Sequence, residues 1–110
     1  EQLKRAKVMM VTCPTAWIDT RRSNMISLFH NSMTPVDEMI PAGVTVALGA
    51  DNVCDAMVPW NGGDMWHELM TLATGCRYDE MEALAKIATV NGRRVLGLPP
   101  LENTDFSIQI

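Results

Sequence analysis

Gly43-Val44-Thr45-Val46-Ala47-Leu48-Gly49-Ala50-Asp51-Asn52-Val53-Cys54-Asp55 is the stretch that decides how this chain is read. Val44 to Leu48 is a run of β-branched and aliphatic residues without a charge, which suits a strand covered on both faces, as in a parallel sheet. Gly49 and Ala50 let the chain turn without bulk, and Asp51 then stands at the carboxyl end of the strand. Ligands and chemistry sit at that end in open α/β sheets and in α/β barrels. Asp51, followed by Asn52 and Asp55, is therefore the first candidate for a working residue. Pattern alone leaves a second reading open, in which Asp51 caps the turn through Asn52 and Val53.

Upstream, Val8-Met9-Met10-Val11-Thr12 is a second apolar run, stopped by Cys13-Pro14. Between the two runs, Thr34-Pro35-Val36-Asp37 reads as a helix start, with Thr34 as cap, Pro35 in the first position and Asp37 completing a capping pair. Strand, loop, helix, strand is a βαβ unit, so the two strands should run parallel. Residues 13–33 sustain no period but hold Trp17, Leu28 and Phe29, which points to an ordered, functional loop. Downstream, Asp64 caps a helix whose apolar stripe is Trp66, Leu69, Met70, Ala73 and Cys76. Asp79 and Glu82 form a second capping box, opening a helix through Leu84, Ile87 and Ala88 to about Asn91, where Gly92 stops it. Residues 105–110 alternate at period two and read as a strand of another sheet.

The 110 residues allow one small domain, and 47% hydrophobic with 20% charged residues is ordinary for a globular protein. A net charge of −4, with no basic cluster beyond Arg21-Arg22 and Arg93-Arg94, argues against nucleic acid as a partner. No apolar run approaches the roughly 18 residues that span a bilayer, so no membrane partner is expected. The chain opens Glu1-Gln2-Leu3-Lys4-Arg5, with cations suited to a last helical turn and no signal peptide. Three widely spaced cysteines, Cys13, Cys54 and Cys76, read as free thiols of a reducing cytoplasm. Two parallel strands alone are too few for a stable sheet, so the chain reads as an excised part of a longer protein.

The chemistry available within the chain is narrow. A catalytic zinc site needs about three converging ligands, whereas His30 and His67 stand far apart and no His-x-His or Cys-x-x-Cys occurs. Cys13 ends the first strand but has no histidine placed to activate it, so a small buried thiol is the reading adopted. The carboxylate Asp51 is what remains.

Val11-Thr12-Cys13-Pro14-Thr15-Ala16, Met33 to Met39, Gly43 to Val53 and Ala88-Thr89-Val90-Asn91-Gly92-Arg93-Arg94-Val95-Leu96-Gly97-Leu98 together resemble the carboxyl-terminal third of an amidohydrolase, in the branch of cytosine deaminase and the ammelide-type triazine aminohydrolases. The resemblance implies an α/β fold, a partial (β/α)8 TIM barrel over residues 1–98 with Val8–Thr12 as strand seven and Val44–Leu48 as strand eight, and residues 99–110 starting a return to a flanking β-sandwich. It implies that Asp51 is a ligand of one divalent metal, zinc or iron, and shuttles the proton of the attacking water to the leaving amine. The other metal ligands of the family fall outside this chain. Asn52 stands where some cytosine deaminases carry a second acid, and Trp60 resembles the aromatic of the loop after strand eight, although the loop is longer here. Trp17 and His30, in the strand-seven loop, complete the candidate substrate contacts. The expected substrate is an amino-substituted pyrimidine or triazine, and the expected parent is a cytoplasmic enzyme that forms homo-oligomers. Two alternatives stand beside it: another amidohydrolase acting on a cyclic amide or chlorinated ring, and a stand-alone α/β binding module without chemistry.

Overall fold

The computed structural model describes residues 2–19, 33–56 and 58–100. Its elements run α1 (Gln2–Arg5), β1 (Met10–Thr12), α2 (Pro14–Asp19), α3 (Val36–Met39), β2 (Val46–Leu48), α4 (Met65–Cys76), α5 (Met81–Ala88) and α6 (Val90–Val95). The strands pair in parallel, with Met10 opposite Val46, Val11 opposite Ala47 and Thr12 opposite Leu48. Both strands are shorter than their apolar runs, because Val8-Met9 and Val44-Thr45 lie outside the ladder. All three residues of β2 are buried, as a charge-free run between helices requires.

The core is apolar and built around β2. Val36, Val44, Val46, Leu48, Leu72, Leu84 and Ile87 form its buried cluster, with Leu72 and Val36 fully excluded from water. Helices α4, α5 and α6 all lie against β2, and α2 packs on α4. Met10 donates to the Thr45 carbonyl, 2.9 Å, and carbonyls alternate along a strand, so the Val46 carbonyl points to the edge of β2 away from β1. The Asn91 amide of α6 donates to that carbonyl at 2.8 Å.

That contact corrects the expected barrel. The described residues form a two-stranded sheet with six helices, not strands seven and eight of a partial (β/α)8 barrel. A barrel strand is paired along both edges, and here a helix side chain occupies the outer edge of β2 at Val46. The expected sandwich strand at residues 105–110 lies outside the described residues.

Several local expectations change for identifiable reasons. Thr34 does not cap α3: its hydroxyl bonds Thr12 Oγ1 at 2.8 Å, and Pro35 precedes the helix without a side-chain cap. The stretch after Cys13, read as loop, opens with α2. In α4, Asp64 caps as expected, accepting from the Trp66 N–H at 2.9 Å. The buried positions of that helix are Glu68 and Leu72, while Trp66 and Met70 of the expected stripe are exposed. Asp79 and Glu82 form no box, since Glu80 precedes α5 without a side-chain cap. The Thr89 hydroxyl donates back to the Ala85 carbonyl at 2.6 Å, and the backbone leaves helical geometry at that residue. Gly92 therefore sits inside α6 rather than ending α5.

Candidate functional site

The site grows from the carboxyl ends of the two strands. At Gly49 the chain comes so close to β1 that an added Cβ would meet Val11 Cγ1 at 2.8 Å and Cys13 Sγ at 3.2 Å. Gly49 N–H still bonds the Thr12 carbonyl at 2.8 Å, so the strands stay together to their last residues. Asp51 then adopts a left-handed backbone, φ +58, and its side chain is exposed. Aspartate is one of the few side chains that tolerates this conformation.

Cys13 faces the same end. Burial pushes its thiol pKa above the ordinary value of 9.0, and the Asp51 and Glu68 carboxylates push it further in the same direction. The charges of Asp51 and Glu68 therefore both act on this corner of the molecule. The thiol is held protonated rather than activated, in keeping with its reading as a small inert side chain.

Behind Asp51 lies a polar knot. Glu68 is fully buried, and its carboxylate accepts from the Thr15 N–H at 3.0 Å, from the Thr15 hydroxyl, and from Asn61 Nδ2 at 3.2 Å. Asn61, 6% exposed, also donates through Nδ2 to Thr15 Oγ1 at 2.8 Å and to the Ala50 carbonyl at 3.0 Å. Its Oδ1 accepts from the Gly63 N–H at 2.9 Å, which fixes the amide's orientation. Its main-chain carbonyl accepts from the Cys54 N–H at 2.9 Å and the Cys54 thiol at 3.3 Å. One asparagine thus ties together the start of α2, the end of β2, the loop after it and α4. A buried carboxylate is tolerable only when donors satisfy it, and this one has three.

The expected substrate contacts do not converge. Asn52 donates to Asp55 Oδ2, and Asp55 Oδ1 accepts from the Val58 N–H at 2.8 Å, so Asn52 is engaged in its own turn. Trp60 is 73% exposed and lines a cavity of about 570 Å3 with Thr15, Ile18, Asn61, Asp64 and His67. Asp51 does not line that cavity. Trp17 is half-buried in α2 and packs on the apolar core. His30 lies outside the described residues. Thr15, Asn61 and Glu68 escaped the sequence reading; a glutamate on a helix reads as solvated, and only its place four residues after the Asp64 cap sets it near the strand ends.

The described residues do not by themselves make a metal centre. Among the described residues no group of three His, Cys, Asp or Glu side chains is arranged to hold an ion. The Glu68 oxygens are already taken by Thr15 and Asn61, and His67 lines a cavity that Asp51 does not. Among the described residues no helix is long and apolar enough to cross a membrane.

No family model matches the chain, and no solved structure matches it. It is similar to two proteins of Haemophilus influenzae (strain Rd), each described as "Uncharacterized protein". The first is 54% identical over 41 residues, 37% of this chain, and the chain spans only 15% of that protein's length. The second is 52% identical over 42 residues, 38% of this chain and 93% of that protein. With half of the aligned positions identical across nearly the whole of that shorter Haemophilus influenzae protein, the chain belongs to the same family as it.

Proposed function

We propose that this chain is part of a cytoplasmic hydrolase that removes an exocyclic amine from a pyrimidine or triazine ring, with Asp51 moving the proton between the attacking water and the leaving amine. The observation that carries the reading is the placement of Asp51. It lies three residues past the end of β2, it is exposed, and it is held in a left-handed turn at the end of a parallel pair. A carboxylate there can accept a proton from water on one side and return it on the other, which is worth about 10²–10⁴ in rate for a positioned group. A zinc or iron ion in such a protein would draw its further ligands, beyond Asp51, from outside this chain, and the part proposed for Asp51 is the proton transfer.

The test is ammonia release from cytosine and from ammelide, by the isolated chain and by a longer protein that contains it. The isolated chain should release none, with or without added zinc or iron. In the longer protein Asp51→Asn should lower turnover about 10²–10⁴-fold, because asparagine keeps the left-handed backbone but accepts no proton. Unchanged turnover in that variant refutes the assignment.

A second reading, a binding module without chemistry, is favoured by the cavity of about 570 Å3, whose lining includes Trp60, Asp64 and His67 but not Asp51. Ring binding by the isolated chain, with no turnover in any longer form, would select it.

A further inference from the structure

We infer that Thr15, Asn61 and Glu68 are positioning residues that set the backbone of Asp51, an inference that rests on reading Asp51 as the proton carrier. The three side chains close a triangle: Thr15 Oγ1 donates to Glu68 Oε1, and Asn61 Nδ2 donates to both, at 2.8 and 3.2 Å. The third contact of Nδ2 is the Ala50 carbonyl, 3.0 Å away, the peptide oxygen immediately before Asp51. An amide nitrogen has two hydrogens, so one of its three contacts is shared, and a change at either neighbour alters the hold on Ala50.

Two corners of the triangle are buried, Thr15 is half-buried, and Asp51 is exposed. Glu68 is 0% exposed and Asn61 is 6% exposed. Both are held from outside the strand: Glu68 by the α4 backbone, whose first turn Asp64 caps, and Asn61 by Gly63 and Cys54. The exposed aspartate is thus carried on a peptide that is clamped from beneath. A left-handed backbone is disfavoured for an L-residue, though less so for aspartate than for most, and it persists where the surroundings determine it. Ala50's carbonyl bond is the described contact that fixes the peptide entering that turn.

Two measurements test this, and they separate it from the proposed reaction. The first is backbone NMR of the chain carrying Thr15→Val, Asn61→Asp or Glu68→Gln, with Thr15→Ser as the conservative control. The amides of Ala50, Asp51 and Asn52 should move in the first three variants and return in Thr15→Ser, while those of Met81–Ala88 stay in place. Folded variants in which Asp51 does not move overturn the inference, and so does loss of fold in all of them, which would make the triangle a core element only. The second is kcat and KM for ammonia release in the longer protein. Asn61→Asp should lower kcat about ten- to a hundredfold, the cost of a small misplacement, with KM little changed. In the background of Asp51→Asn it should cost nothing further, since the two act as one unit; additive losses overturn it. If the unmodified protein releases no ammonia, the reaction fails, and the NMR result still decides the positioning.

Discussion

Two regions of this small molecule are held by opposite physics. Around β2 and the helices α4 and α5 the contacts are apolar: Val36, Val46, Leu72, Leu84 and Ile87 exclude water from one another. At the carboxyl ends of the strands the buried groups are Thr12, Asn61 and Glu68, and the contacts are hydrogen bonds. Apolar packing is non-directional and yields by small shifts. A hydrogen-bonded buried carboxylate does not, because each donor left unpaired costs about 1–3 kcal/mol. The fold and the placement of Asp51 therefore rest on separate sets of residues, so each should be breakable with limited damage to the other.

The largest expected effect is on the apolar side. Leu72→Ala truncates one of the largest fully buried side chains among the described residues and should cost about 2–5 kcal/mol in urea unfolding. The amide shifts of Asp51 should survive in whatever fraction stays folded; if they move as far as in Glu68→Gln, the two regions are one. A smaller effect lies on the bridge between them. Asp64 caps α4 through the Trp66 N–H, and Asp64→Ala should cost about 0.5–2 kcal/mol by the same measurement. Since Glu68 sits in the turn that this cap closes, Asp51 amides should respond here as they do not for Leu72→Ala.

The smallest effect is electrostatic, and it marks one cysteine from each region. Burial first, then Asp51 and Glu68, raise the Cys13 pKa, whereas burial first and then Asp37 raise that of Cys76. Asp51→Asn should therefore speed alkylation of Cys13 by iodoacetamide at fixed pH and leave Cys76 unchanged. An equal change at both thiols would mean that the two ends are not electrostatically separate. Both thiols, and Tyr78, keep their protons more firmly when folded, Tyr78 chiefly through burial and then Glu80, Asp37 and Asp79. Their contribution to stability is fully present below the unfolded values, 9.0 for the thiols and 10.0 for the phenol. It is lost as pH rises through the higher folded values. Thermal unfolding should accordingly show a melting temperature that falls on the alkaline side of about pH 9.

What could be read beforehand followed from which forces leave a local mark. The run Val44–Leu48 announced a buried strand because burial on both faces forbids charge, and Asp64 announced a helix because its cap is local. Their parallel pairing followed from the helix between them. The barrel did not survive, since whether a strand's second edge meets another strand or an asparagine from α6 is a tertiary matter with no local signature. The capping role of Thr34 failed for the same reason, its hydroxyl being taken by Thr12 across 22 positions of chain. Glu68 was invisible because a charged helix residue reads as solvated until its partners Thr15 and Asn61 are known. Asp51 could be singled out because it lies three residues past the end of β2, whereas the engagement of Asn52 by Asp55 within its own turn left no mark in the pattern.

The Asn91 contact has a consequence for how such molecules meet. An edge strand with free amides and carbonyls recruits further strands, which is the usual start of sheet-mediated aggregation. With the Val46 carbonyl plugged by Asn91, growth from the β2 side is obstructed. The β1 side carries Val8, Met9 and Val11, each 41–49% exposed, and among the described residues no strand pairs there. Among the described residues, the outer edge of β2 is thus closed at Val46, while β1 pairs with no strand other than β2.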